Sequence, residues 1–158
     1  METRRSPWLP PRWVIRGAWS AHRALYSLSG GRVGLGKPSD KGYGTLRLHT
    51  RGRKTGVERV AMLGYFEDGP NLFTLAMNGW GEPEPAWWLN LQANPDAIVE
   101  LPDGSRRVRA RAATGDERAR LWSEIARRNA DLDGYAARRS RETAVVVFED
   151  REPDGILD

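Results

Sequence analysis

Apolar and polar residues alternate with two different periods along this chain. From Arg12 to Leu28, apolar residues recur every three or four positions, which predicts an amphipathic helix over 12–28. The preceding residues 1–11 contain three prolines, so we expect an irregular lead-in. Four glycines between positions 30 and 36 predict the end of the helix and a loop that continues to Gly42.

Strand-like patterns fill much of the remaining sequence. They lie at Leu46–Leu48 and over 60–66, 72–77, 97–101, 106–113 and 143–148. Between the fourth and fifth segments, Asp103-Gly104 predicts a hairpin turn, and Val108, Ala110 and Ala112 then alternate with arginines. The last segment is apolar throughout, which favours a central strand buried on both faces.

Three further helices are predicted among the strands. They cover Pro85–Ala93, a segment from Thr114 to about Arg128, and a short stretch around Leu132–Ala136; Thr114 and Glu117 have the spacing of a capping box. Because short turns connect neighbouring strands, a doubly wound parallel sheet is disfavoured. We therefore expect a single α+β, mainly β domain over 1–158, a barrel or sandwich of about six mostly antiparallel strands.

Composition narrows the functional classes. The 158 residues include no cysteine, which excludes disulfides, thiolate metal sites and a cysteine nucleophile, and favours a reducing, cytoplasmic location. The two histidines lie in different predicted elements and no hydrolase motif occurs, so we expect neither a metal site nor a hydrolytic triad. No apolar run approaches the roughly 20 residues of a membrane span.

Charge is distributed unevenly between the two parts of the chain. Residues 1–60 contain 13 Lys and Arg against three acidic residues (+10), whereas residues 61–158 contain 12 Arg against 18 acidic residues (−6). This asymmetry predicts a polyanionic ligand or surface near the N-terminal part. The alternating arginines Arg107, Arg109 and Arg111 are interpreted as a solvated strand face, and no nucleic-acid partner is expected.

One predicted turn combines several residue types that bind anions. The segment Thr50–Gly56 contains two glycines, two hydroxyls and three cations, and Arg59 follows shortly afterwards. Glycines let backbone N–H groups converge on an anion, and Arg and Lys supply charge. From composition alone, an anion-binding turn and a plain polar hairpin turn both remain open.

Three motifs in a fixed order carry a resemblance to a known family. Leu48–Arg59, Pro85–Pro95 and Arg141 before the last strand resemble the deazaflavin-dependent nitroreductases, and the resemblance extends from about Arg12 to Glu149. Proteins of that family are split β-barrels that bind coenzyme F-420 and transfer hydride from its reduced form to quinones, nitroaromatics or other activated acceptors. F-420 carries a phosphodiester and a polyglutamate tail, which suits the basic N-terminal part.

The resemblance implies a cofactor site built from several elements. The implied contacts with the cofactor's phosphate are Arg53, Lys54, Thr55, Gly56 and Arg59. The deazaflavin ring is implied to lie along Val60, Met62, Leu63 and Gly64. Further implied cofactor contacts are Thr74, Ala76, Met77, Asn78, Gly79, Trp87, Asn90 and Arg141. Strand alternation predicts that Val60, Met62 and Gly64 share a face. Trp87 is equally compatible with a core anchor, Asn90 is expected to hold backbone in place, and Arg141 could instead pair with Asp131 or Asp133.

The acceptor side departs from the family pattern. The implied substrate contacts are Met77, Trp80, Leu132 and Tyr135, with Tyr135 the candidate proton donor or hydrogen-bonding group. Where characterised nitroreductases have Ser-Lys-Gly-Gly, this chain has Met77-Asn78-Gly79-Trp80, so a tail-binding lysine is missing. We therefore expect cofactor binding to be retained and acceptor preference to differ from that of the nitroreductases.

Two alternatives keep part of this interpretation. The first is an FMN-dependent split-barrel oxidoreductase, although FMN has one phosphate and would leave the basic part unexplained. The second is a non-enzymatic cofactor or lipid carrier at a membrane surface, because Trp8, Trp13 and Trp19 alternate with arginines as in an interfacial helix. The N-terminal helix is thus expected either to cover the barrel mouth or to contact the inner face of the membrane. The oligomeric state is left open.

Overall fold

The computed structural model describes residues 8–18, residue 21 and residues 34–151. Residues 12–18 form helix α1. The elements that follow are β1 (Gly44–Arg51), β2 (Glu58–Asp68), β3 (Asn71–Leu75), α2 (Ala86–Ala93), β4 (Asp96–Leu101), β5 (Gly104–Ala112), α3 (Gly115–Arg128), α4 (Leu132–Ala136) and β6 (Val145–Asp150). The remainder of the helix predicted over 12–28, apart from helical Ala21, lies outside the described residues.

The six strands pair antiparallel throughout and close into a barrel in the order β1-β2-β3-β6-β5-β4. This confirms the prediction of a mainly β, antiparallel barrel with helices. The last strand, β6, lies between β3 and β5, and its first four residues are buried, as expected for a central strand. No helix in the described ranges is long and apolar enough to span a membrane.

Alternation along the strands divides the hydrophobic residues into two clusters. Leu46, Leu48, Val99 and Phe148 point into the barrel, where α2 adds Trp87, Trp88 and Leu91. On the outer side, a second cluster joins strand residues to helices α3 and α4; it includes Phe66, Phe73, Val145, Val147, Leu121, Ile125 and Leu132. Burial of this much apolar surface on both sides of the sheet holds the barrel and the helices as one unit.

The structure corrects three local predictions. The Thr114 side chain makes no cap hydrogen bond, so the capping box is wrong; the Glu117 carboxylate instead accepts two hydrogen bonds from Arg111, at 2.5 and 2.9 Å. β3 ends at Leu75, because the Met77 N–H turns back to the Leu75 carbonyl. The inward alternation of β5 ends at Ala110, and Ala112 is exposed where the strand gives way to α3.

Candidate cofactor and acceptor site

The turn between β1 and β2 has a fixed backbone and exposed cations. The Gly52 N–H donates to the Val57 carbonyl and the Gly56 N–H to the Gly52 carbonyl, both at 2.8 Å. Gly56 has φ +72°, a left-handed conformation that glycine adopts without steric cost. Arg53, Lys54 and Arg59 are exposed around it. The turn therefore presents positive charge to solvent on a defined backbone, as an anion site requires.

The Asn90 side chain on α2 holds this turn in place through hydrogen bonds. Its side chain is only 3% exposed, and its Nδ2 donates to Thr50 Oγ1 at 3.2 Å. Its Oδ1 accepts from the Arg53 backbone N–H at 3.2 Å and from the Arg53 guanidinium at 3.1 Å. Asn90 thus contacts the backbone of the turn, and a direct contact with a cofactor stays a prediction.

β2 carries the predicted ring-binding residues on its outer face. Pairing of Leu46 with Leu63 places Leu63 inside the barrel, whereas Val60, Met62 and Gly64 alternate outward. The predicted shared face is therefore present, but Met62 on it is only 7% exposed, and Leu63 can offer a ligand only its backbone. β2 pairs with β3 only near the hairpin, and beyond it Thr74 Oγ1 donates to the Gly64 carbonyl at 2.6 Å.

Two of the predicted contacts beyond β2 are too buried to reach a ligand with their side chains. Thr74 is 5% exposed and Ala76 is not exposed at all. Trp87 is also buried, and it packs in the barrel interior, as its alternative interpretation as a core anchor requires. Any cofactor contact by Thr74 or Ala76 would have to involve backbone atoms.

Tyr43 is a residue near this face that sequence reasoning missed. Its ring is 60% exposed and lies against Gly64, so close that a Cβ at Gly64 would approach Tyr43 Cδ2 to 2.8 Å. Tyr43 precedes β1 in a glycine-containing loop, where no periodic pattern marks its side chain. Its exposed ring adds an aromatic group beside Val60, Met62 and Gly64.

The predicted acceptor residues converge next to α4. Trp80 is buried and stacks on Tyr135 with ring centroids 6.0 Å apart and an interplanar angle of 11°. Leu132 and Met77 belong to the same apolar cluster. Gly79 and Trp80 have φ of +56° and +59°, and Trp80 is the only described non-glycine residue with positive φ. The aromatic wall, by which we mean the stacked side chains of Trp80 and Tyr135, therefore depends on an uncommon backbone conformation at Trp80.

The N-terminal segment packs against this loop. Ile15 side-chain atoms lie 3.3 Å from the position of a Cβ at Gly79, and the Arg12 guanidinium lies 2.9 Å from that of Gly81. The Tyr135 hydroxyl donates to the Trp8 carbonyl at 3.4 Å. Small residues at positions 79 and 81 thus allow close approach of the segment that contains α1.

The buried arginine before β6 is Arg139, and the cofactor contact implied for Arg141 stays a prediction. Arg139 is 6% exposed and bonded to the chain around residues 76–84, whereas Arg141 is exposed. Among the described residues, Arg141 forms no ion pair with Asp131 or Asp133; Asp133 accepts from Trp122 Nε1 at 2.9 Å. Hydrogen bonds from Ser140, with smaller contributions from Arg141 and Arg139, lower the pKa of Glu82.

An open cleft of about 510 Å³ lies beside the cationic turn, mostly outside the predicted site. Its lining includes Arg51, Gly56, Ile98 and Arg107. His49 lies at its wall between two carboxylates, with Nδ1 at 3.0 Å from Glu58 Oε1 and Nε2 at 3.3 Å from Glu100 Oε2. These two contacts connect His49 on β1 to Glu58 on β2 and to Glu100 on β4, which is a structural role.

Comparison with known proteins assigns the family. The family model described as F-420H(2)-dependent quinone reductase matches residues 19–150. The Mycobacterium tuberculosis (strain H37Rv) protein Rv1261c, named an F-420H(2)-dependent quinone reductase, is 36% identical over 132 residues, which are 80% of this chain and 86% of that protein. A second protein of that strain, Rv3178, is named a putative F-420H(2)-dependent quinone reductase. It is 37% identical over 118 residues, which are 74% of this chain and 98% of that protein.

Solved structures agree with the barrel. The structure titled F-420-H2 dependent reductase (FDR-A) has a TM-score of 0.60 and 25% identity, covering 66% of this chain and 93% of that chain. A chain described as a domain-swapped dimer has a TM-score of 0.64 and 23% identity, covering 85% of this chain and 99% of its own, and shows the fold alone.

The fold and the site therefore define an oxidoreductase of the split-barrel type. The chain belongs to the F-420H(2)-dependent quinone reductase family. Neither the FMN-dependent alternative nor the non-enzymatic carrier is supported by these comparisons.

Proposed function

We propose that this chain transfers hydride from reduced coenzyme F-420 to a quinone-type acceptor. The observation that carries the proposal is the rigid, cationic β1–β2 turn at the end of an outward-facing strand, in a member of this family. The cofactor, when bound, supplies the hydride. The protein need only bind and orient the two reactants and exclude water.

The residues present fit a phosphate-bearing cofactor with an anionic tail. Lys54 and Arg59 are exposed cations beside a backbone fixed by Asn90, so a phosphate can be bound without reorganising the turn. The ring would lie on the outer face of β2 at Val60 and Gly64, with the buried Met62 between them. Asn78 is exposed but neutral, so at this position the tail would gain hydrogen bonds and not charge.

The acceptor would bind between the ring and the aromatic wall. Trp80 is buried behind the half-buried Tyr135 ring, so a planar quinone would contact mainly Tyr135, and the N-terminal segment helps to exclude water. The Tyr135 hydroxyl donates to the Trp8 carbonyl, and we expect it to exchange that hydrogen bond for one to the reduced acceptor or to protonate it. Because Trp80 stands where the nitroreductase motif has glycine, we expect quinones to be the preferred acceptors and nitroimidazoles to be reduced slowly or not at all.

The N-terminal segment also favours a peripheral membrane contact of an otherwise cytoplasmic protein. Trp8 and Trp13 are 77% and 76% exposed, and Arg12 and Arg16 are exposed beside them. Aromatic and basic side chains together are typical of interfacial helices. Co-sedimentation with anionic liposomes tests this: W8A/W13A would lose binding, and binding that is unchanged in that variant would contradict it.

Anaerobic turnover tests the function. Purified protein is mixed with reduced F-420 and a soluble quinone, and the return of the oxidised cofactor's visible absorbance is followed; reduced FMN serves as the alternative donor. The proposal predicts quinone-dependent oxidation of reduced F-420 that falls at least about tenfold in K54A/R59A, since each charge-assisted contact contributes about 1.5–3 kcal/mol. Equal rates in that variant and the wild type would contradict it.

A further inference from the structure

We infer that Arg139, with Glu84 as its counter-ion, is a positioning residue for the acceptor side of the site. It fixes the backbone of the Met77–Gly81 loop in the conformation that presents Trp80 to Tyr135. The inference rests on the proposed function in one respect, that this loop contacts the acceptor. The positioning itself is a property of the protein without ligands.

Arg139 contacts both ends of the loop. Its Nη1 donates to the Ala76 carbonyl at 3.1 Å and to Thr143 Oγ1 at 2.9 Å, and its Nη2 donates to the Glu82 carbonyl at 3.4 Å. Those two carbonyls flank the loop on either side. A guanidinium is a planar fork whose donors have fixed spacing, so a single side chain sets the distance between the two ends of the loop.

Glu84 compensates the buried positive charge of Arg139. The Arg139 side chain is fully inaccessible and that of Glu84 is 14% exposed, and the Arg139 Nη2 donates to Glu84 Oε1. A charge buried without a partner is strongly destabilising, whereas a paired one is not. The two residues therefore act together, and replacing both by apolar residues removes the clamp without leaving a buried charge.

The loop needs such support because its backbone is in an uncommon conformation. Gly79 and Trp80 both have left-handed φ values, +56° and +59°, and Trp80 pays a steric cost that glycine does not. Conformations of this kind persist only where the surroundings hold them in place. The stacking of Trp80 on Tyr135 depends on this backbone, since a shift of the loop would move the indole off the phenol ring.

Hydrogen–deuterium exchange of the ligand-free protein is combined with kinetics to test the inference. In R139M/E84M we expect amide exchange over 77–82 to be at least tenfold faster, with the barrel strands unchanged. The kcat/KM for a soluble quinone should fall at least tenfold, while the Kd for oxidised F-420 changes less than threefold. E84Q keeps an acceptor for the guanidinium but removes its counter-ion, so it should lower the free energy of unfolding while retaining more loop protection than R139K, whose single amino group cannot reach both ends of the loop.

S140A is the matched control, because it removes only the exposed hydrogen bond at 2.7 Å from Ser140 Oγ to Glu82. Loop protection and kcat/KM that are both unchanged in R139M/E84M, or full protection in R139K, would overturn the inference. Should R139M/E84M not fold, R139K and E84Q decide between the outcomes. If the wild-type protein itself reduces no quinone, the proposed function fails while the exchange data still decide whether Arg139 holds the loop.

Discussion

Asn90 Oδ1 accepts two hydrogen bonds from one residue, Arg53: one from its backbone N–H at 3.2 Å and one from its guanidinium at 3.1 Å. A buried amide on a helix thereby sets both the course of a surface turn and the direction of one of its cations. The turn is preorganised, so less free energy is spent on ordering it when an anion binds.

Removal of this support should loosen the turn. In N90A, Thr50 and Arg53 lose a partner, which lowers the free energy of unfolding by about 1–3 kcal/mol. The Kd for F-420 should rise about tenfold because Arg53 is no longer held. Urea unfolding and a fluorescence titration measure the two effects. Q92A is the control, since Gln92 is exposed on the same helix and its loss should change neither value.

The cations of the turn should act mainly through charge. K54A and R59A are each expected to weaken F-420 binding about tenfold and to reduce the dependence of the Kd on salt, because exposed ionic contacts are screened by added ions. Titrations at several salt concentrations measure this. K41A, which removes an exposed lysine outside the turn, should match the wild type. An unchanged Kd in both variants would mean that the anion binds elsewhere.

Trp80 should influence both stability and acceptor choice. W80A removes a buried indole, which costs about 3–5 kcal/mol for a large-to-small change, and alanine keeps a Cβ, so the strain of the left-handed backbone at position 80 is not relieved. The space beside Tyr135 should raise kcat/KM for bulky quinones relative to small ones. Unfolding by urea and a comparison of two quinones check this; W80F, which keeps a ring, should change the ratio less.

A three-residue ion-pair cluster outside the site should control acid stability. Arg111 bonds to Glu117 and Glu149, and its hydrogen bonds to Glu117 lower the pKa of that carboxyl. A folded-state pKa below the unfolded value means that this contribution is present above about pH 4.3 and is lost as the pH falls further. In R111M the fall in unfolding free energy between neutral and acid pH should be smaller. R107M, on the same strand, should retain the wild-type profile.

Much of the fold was predictable because its signals are local. Val108 and Ala110 alternate with arginines and the predicted hairpin is present, but it pairs Leu101 with Gly104, so its loop is Pro102-Asp103, one residue before the predicted Asp103-Gly104 turn. The barrel closes through such hairpins, so alternation and turn residues define most of it. The capping box failed because Glu117 had a stronger partner in Arg111, which lies on another element.

The residues that sequence reasoning missed owe their roles to distant contacts. Arg139 meets Ala76 and Glu84 across more than 50 positions of the chain, and Tyr43 meets Gly64 across a strand pair. Neither contact leaves a periodic signal in the sequence. The resemblance implies a role for Arg141, whereas no local pattern in the sequence distinguishes the buried Arg139, two positions earlier, from an exposed arginine.

The central claim is that the β1–β2 turn belongs to a deazaflavin site. The most direct measurement is a titration of the ligand-free protein with oxidised F-420 and, separately, with FMN, following tryptophan fluorescence with inner-filter correction. We predict micromolar binding of F-420, about −8 kcal/mol, with at least a tenfold weaker response to FMN. Tighter binding of FMN, or no binding of F-420, would contradict it.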